Sequence, residues 1–153
     1  MAKQRDLIRM TGEEVAAFVD GRRSLIVATL DKDGAPHQTV LWFAVRDGLY
    51  LFETYGSSQK VLNLRRDPRI SLLWEAGRDY SELCGVSIRG RAEIVDAEPR
   101  LTELMTVIVQ RNHAGRSAAE IAEQVAAMVR KRVVVAVRPE KVISWDHRKL
   151  GGA

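Results

Sequence analysis

Gly56, Ser57, Ser58 and Lys60 are the residues of this chain best placed by type and spacing to hold an anion. An apolar strand pattern over 49–54 runs into Gly56. A short helical pattern carrying Lys60 follows and ends at Pro68, which cannot continue a helix. The opening turn of a helix has free backbone N–H groups and the positive end of a dipole. Two serine hydroxyls add donors, and the lysine adds a point charge. That combination suits a phosphate. The same residues also read as a capped helix after a turn, with solvated basic side chains.

Other chemistries find less support. His37, His113 and His147 are far apart and lack the i, i+4 spacing of a zinc site, so each reads as a surface residue and no metal site is expected. No G-x-S-x-G elbow supports Ser24, Ser57 or Ser58 as a nucleophile. Cys84 is the single cysteine, which rules out a disulfide framework within one chain; it reads as a quiet buried thiol. Neither G-x-G-x-x-G nor a Walker loop is present. Trp42, Trp74 and Trp145 fall at strand ends, where they suit either core packing or a wall for a planar ring.

The 153 residues fit one domain, 1–153, and 46% hydrophobic content can build a core. The net charge of +4 suits an anionic ligand, a nucleic acid or no particular partner. The basic residues are dispersed and lack aromatic interleaving, which disfavours nucleic acid. No apolar run approaches the roughly 20 residues of a membrane span. The first ten residues lack an apolar signal core, so a cytoplasmic protein is expected.

The elements that must position the turn follow from period and punctuation. Thr11 and Glu14 form a capping box that opens a helix in the N-terminal region, 1–23, with Val15, Phe18 and Val19 on one face. Strands are expected over 24–30 and 36–45, joined by a turn at 31–34. Residues 40–45 are apolar on both faces, so a cover is expected on both sides. A turn at 46–48 leads to the 49–54 strand. Further strands are expected over 69–74 and 85–95, with Gly90 marking a bend or bulge. Leu101, Leu104, Met105, Ile108 and Val109 form one amphipathic stripe; Ile121, Val125, Met128 and Val129 form another behind a capping box at Ser117. A strand over 132–138 is expected to break at Pro139, with a short last strand over 142–145 and a tail. The pattern predicts a mainly β, α+β fold: a small antiparallel barrel of six to seven strands with helices outside.

Residues 56–69 resemble the signature segment of the split β-barrel flavin and deazaflavin oxidoreductases, the superfamily that includes pyridoxamine 5′-phosphate oxidase. The hairpin over 26–51, the segments 80–86 and 90–95, and the closing Ser144-Trp145-Asp146-His147-Arg148-Lys149-Leu150 stand in matching order. The closing motif resembles the branch that uses coenzyme F420, a deazaflavin. The resemblance implies a homodimer with cofactor sites at its interface, the tail 141–153 lying near the site. It implies that Thr39, Val40, Leu41 and Trp42 lie beside the tricyclic ring, partly through backbone, and that Ser57, Ser58 and Lys60 hold the phosphate. Thr54, Asn63 and Trp145 join them as implied cofactor residues. Arg65, Arg66 and Lys149 are candidates for the anionic tail.

Pyridoxamine-phosphate oxidases carry extra Arg and Lys on the second strand and an Arg beside the phosphate lysine. Here Thr39, Val40 and Leu41 occupy that strand, and Ser58 takes the arginine position. The departure favours coenzyme F420 over FMN. The expected activity is hydride transfer between reduced coenzyme F420 and a planar unsaturated or quinone-like substrate. An FMN-dependent oxidase or reductase and a non-catalytic cofactor-binding protein are the alternatives. No side chain is assigned as catalytic; Tyr80 and His147 are polar groups that could supply a proton.

Overall fold

A computed structural model of the chain describes residues 4–151, so the expected N-terminal region and tail extend past it at both ends. A one-turn helix, α1 (Gln4–Leu7), precedes α2 (Gly12–Asp20). Thr11 opens α2 by the expected capping box: its hydroxyl accepts the Glu14 N–H at 3.2 Å, and the Glu14 carboxylate accepts the Thr11 N–H at 2.7 Å. β1 (Ser24–Leu30) then pairs antiparallel with β2 (Pro36–Trp42). Between them the Asp31 carboxylate accepts the N–H groups of Asp33 and Ala35, both at 2.9 Å, and Gly34 takes the positive φ that the turn needs.

The strand expected over 36–45 is divided. Phe43 separates β2 from β3 (Ala44–Arg46), and the two halves pair with different neighbours: β2 with β1, β3 with β4 (Leu49–Tyr55). The remaining strands are β5 (Arg69–Ala76), β6 (Cys84–Val95) and β7 (Arg132–Asp146). The sheet order is β2-β1-β5-β6-β7-β4-β3. Its two edge strands are therefore joined by one residue. In a flat sheet six strand spacings would part them by about 29 Å, far beyond the reach of a single residue. The sheet must curl until its edges meet at Phe43, which is fully buried in the interior. The result is a split barrel.

Two apolar layers follow. Leu25, Val27, Phe43, Phe52, Leu72, Trp74 and Ile88 fill the barrel. Outside, the expected stripe of α4 (Arg100–Asn112) and residues Ile121 and Val125 of α5 (Ala118–Met128) cover Leu51, Val134 and Ala136. β2 has no such cover in the single chain. Val40 is 65% exposed and Trp42 44%, so the expected second cover of that strand does not come from the described residues.

Pro139 does not end a strand, contrary to expectation. β7 runs unbroken for 15 residues, and Pro139 sits opposite Gly90 where the register between β6 and β7 shifts. β4 pairs with β7 only as far as Val137, so Pro139 lacks a neighbour on that side, and a bulge tolerates its missing N–H. Gly90 is required there, because a Cβ would overlap the Arg138 carbonyl oxygen. No helix among the described residues is long and apolar enough to cross a membrane.

Gly90→Ala should destabilise the protein by about 1–3 kcal/mol in urea or thermal unfolding, because backbone rather than a flexible side chain must yield. Gly12→Ala, where the added methyl meets open space, should stay within about 0.5 kcal/mol.

Candidate functional site

β4 carries Thr54 to the end of the barrel, and the chain turns through 55–58 into α3 (Gln59–Arg66). The Gly56 N–H donates to the Lys131 carbonyl at 3.0 Å, and the Ser58 N–H to the Tyr55 carbonyl at 3.0 Å. Ser58 has the extended backbone of an N-cap, yet its side chain does not cap the helix. Its hydroxyl instead accepts the Thr54 hydroxyl at 3.3 Å. The Val61 N–H donates to the Ser58 carbonyl at 3.0 Å, which leaves the N–H groups of Gln59 and Lys60 for another acceptor.

Lys60 is 8% exposed, and its ammonium donates to Thr54 Oγ1 at 3.2 Å. It forms no ion pair among the described residues. Glu53, whose field reaches it, is committed to Arg132 at 2.7 Å. Burial pushes the Lys60 pKa below its ordinary value, against the opposing pull of Glu53. The N–H groups of Gln59 and Lys60, two hydroxyls and a buried cation with no ion pair among the described residues stand together as a cradle that could receive an anion.

Asn63 holds this cradle rather than facing it. It is fully buried; its amide donates to Thr29 Oγ1 at 3.0 Å, and its carbonyl oxygen accepts from Gln59 at 2.8 Å and Arg66 at 3.2 Å. Arg66 also reaches the Leu30 carbonyl at 2.8 Å. These bonds fasten α3 to β1. The sequence held no sign of Thr29's part in this, because a threonine in an alternating strand looks ordinary.

The other expected residues fall in three places. On the edge strand β2, Thr39 shares a face with His37 and Leu41. Thr39 Oγ1 and His37 Nδ1 are buried polar atoms without a partner among the described residues. Val40 and Trp42 point outward. Arg65 pairs with Asp96 at 2.9 Å in the last turn of α3, about 7.5 Å along the helix from Lys60. Lys149 pairs with Glu14 at 2.6 Å and donates to the Arg9 carbonyl at 2.9 Å. The structure therefore unites Thr54, Ser58 and Lys60, and leaves Arg65 and Lys149 engaged elsewhere.

The three tryptophans do not form one wall. Trp74 is buried among Phe43 and Tyr50, at centroid distances of 5.2 and 5.3 Å. Trp145 lies over Gly85, where a Cβ would overlap its indole. Trp42 stands apart at the end of β2. Tyr80 is exposed and its ring lies 4.6 Å from that of His147. His147 Nδ1 is 3.0 Å from the Tyr80 carbonyl, so Nδ1 is the donor nitrogen. Burial pushes the Cys84 thiol pKa up, which keeps it unreactive. No cluster of metal-binding side chains occurs among the described residues.

A curled antiparallel sheet with an anion cradle at the end of β4 and an open edge strand defines the split β-barrel class of cofactor-binding proteins. The sequence pattern of the pyridoxamine 5′-phosphate oxidase family matches residues 11–146, and the chain belongs to that family. A pyridoxine/pyridoxamine 5′-phosphate oxidase of Kineococcus radiotolerans is 33% identical over 112 residues, 73% of this chain but 47% of that protein. The chain thus spans about half of that relative. Among solved structures, a conserved hypothetical protein of Mycobacterium tuberculosis is 43% identical with a TM-score of 0.90, covering 99% of this chain and 94% of the other. An F420 reductase shares the fold at 20% identity and a TM-score of 0.66, covering 86% and 98%.

Lys60→Met should stabilise the ligand-free protein by about 0.5–2 kcal/mol, since an uncompensated buried charge is removed. The lowered pKa fixes the pH dependence. The burial penalty is full while Lys60 is charged in both folded and unfolded chains. As pH rises from the lowered folded-state value towards 10.5, the folded chain sheds its proton first and stability recovers. The Met variant's advantage should therefore shrink at alkaline pH in parallel unfolding titrations.

Proposed function

We propose that this protein is a cytoplasmic oxidoreductase that binds coenzyme F420 and reduces a planar unsaturated or quinone-like substrate. The observation that carries the reading is Lys60, a buried ammonium with a hydroxyl for its partner beside the uncapped start of α3. In the proposal Ser57, Ser58, Thr54 and Lys60 receive the phosphate. β2 lies along the ring, where the orphaned Thr39 hydroxyl offers a hydrogen bond. The bound deazaflavin would supply the hydride. The protein's part is to position the reactants and exclude water, so no side chain need act as nucleophile. His147 Nε2, opposite the donor Nδ1, is a candidate to hold a proton.

Residues 1–153 are taken as one working unit that pairs with a second copy. The exposed Val40, Trp42 and Val45 are consistent with a cover supplied by that copy. FMN is the second reading, favoured by the family match. Against it stands Ser58, in the position where pyridoxamine-phosphate oxidases carry an arginine beside the phosphate lysine.

Titration of the purified ligand-free protein with coenzyme F420 and, separately, FMN tests the reading through ligand fluorescence. Micromolar or tighter binding of F420 with weak FMN binding is expected. Lys60→Ala should weaken binding by about 1.5–3 kcal/mol, the scale of a charge-assisted contact. Tight binding of FMN alone moves the protein to the flavin branch. Tight binding with no turnover of any acceptor makes it a carrier. Unchanged affinity in Lys60→Ala contradicts the phosphate assignment.

A further inference from the structure

Four arginines meet in a cleft that shares no residue with the cradle at Lys60. The end of α2 brings Arg22 and Arg23; the end of α4 and the loop beyond it bring Arg111, His113 and Arg116. The cleft has a volume of about 600 Å³, and Asp20 is the one carboxylate in its lining. None of the four guanidinium groups forms an ion pair among the described residues.

Arginines near helix C-termini can simply answer the helix dipole. That explains Arg111, which donates to the carbonyls of Phe43 at 3.1 Å and of Asp20 and Arg22 at 3.0 Å. It does not explain the others. Arg23 lies over the Trp42 ring, 4.8 Å from its centroid. Arg116 reaches only the Gln124 side-chain oxygen. Arg22 stacks on Phe18 at 5.1 Å, and its Nε is buried with no hydrogen-bond partner. A buried donor left unsatisfied is costly, and here it stands among four guanidinium groups that form no ion pair among the described residues, with Asp20 the one carboxylate in the lining. Both observations call for the same missing group, an anion. Guanidinium forks suit carboxylate and phosphate oxygens best, and several of them together suit a ligand with several such groups.

We propose that this cleft binds a small oligoanion bearing two or more carboxylate or phosphate groups, seated beside Trp42. None of its lining residues contributes to the cradle, although Trp42 beside it lies on β2, the strand that the cofactor reading sets along the ring and against a second copy.

Trp42 is the exposed tryptophan next to the cleft, so intrinsic fluorescence reports on it. The full chain is titrated with citrate and with pyrophosphate at constant ionic strength, with acetate as a monoanion control and calorimetry as a second readout. The variants are Arg23→Gln/Arg116→Gln, both exposed positions, and Lys60→Ala. Saturable binding of citrate or pyrophosphate, absent with acetate, is expected. It should persist in Lys60→Ala and weaken about tenfold or more in the double arginine variant with unchanged thermal unfolding. Citrate alone would identify carboxylates, and pyrophosphate alone phosphates. The proposal is overturned if neither probe saturates by either readout, if a folded double variant binds as the parent does, or if binding vanishes in Lys60→Ala, which would place the probe in the cradle. In that last case the cofactor reading stands while this one falls.

Discussion

A lysine ammonium held at the end of the barrel, with a threonine hydroxyl for its hydrogen-bond partner, sets the terms for the rest of the site. Taking a cation out of water is unfavourable unless an opposite charge meets it. Glu53 does not meet it, because Arg132 holds that carboxylate. The fold must therefore keep Lys60 in place by other means. Asn63 fastens α3 to β1 through its amide N–H, its carbonyl oxygen being held within α3 by Gln59 and Arg66, and the Thr54–Ser58 contact draws the turn against the end of β4. A ligand anion would recover the free energy this arrangement forgoes, which couples binding to stability.

The barrel supplies the rigidity. Phe43 hands the chain from one edge of the sheet to the other, so β2 is fixed in place while retaining an open edge. An open edge presents unpaired backbone N–H and C=O groups, the kind of surface a flat polar ring can use. The bulge at Gly90 and Pro139 bends β6 and β7 round the interior. α4 and α5 close the outer face of β4 and β7 over Leu51, Val134 and Ala136.

Much of this was legible in the chain. The capping boxes at Thr11 and Ser117, the stripe from Leu101 to Val109 and the alternation of β6 are local patterns with local causes, and they form as read. The strand, turn and helix that carry Gly56, Ser57, Ser58 and Lys60 were legible too, because these residues are contiguous. What failed depended on distant partners. Pro139 looks like a breaker until Gly90 stands opposite it. The division of β2 from β3 appears only when the sheet curls. Trp74 is indistinguishable in type from Trp42, yet one is core and the other surface. Arg65 looks free beside Lys60 in sequence, and is tied to Asp96 thirty-one residues away. The Arg22–Arg116 cluster joins segments almost a hundred residues apart, so no single stretch announced it.

The ionisation of Lys60 reports directly on whether a phosphate meets it. Its side chain can be followed by heteronuclear NMR through a pH titration, first without ligand and then with saturating coenzyme F420 or FMN. The Lys60 pKa should lie below the ordinary lysine value in the free protein and move clearly upward when the phosphate arrives to balance the charge. A Lys60 that titrates identically with and without bound cofactor would show that the phosphate lies elsewhere.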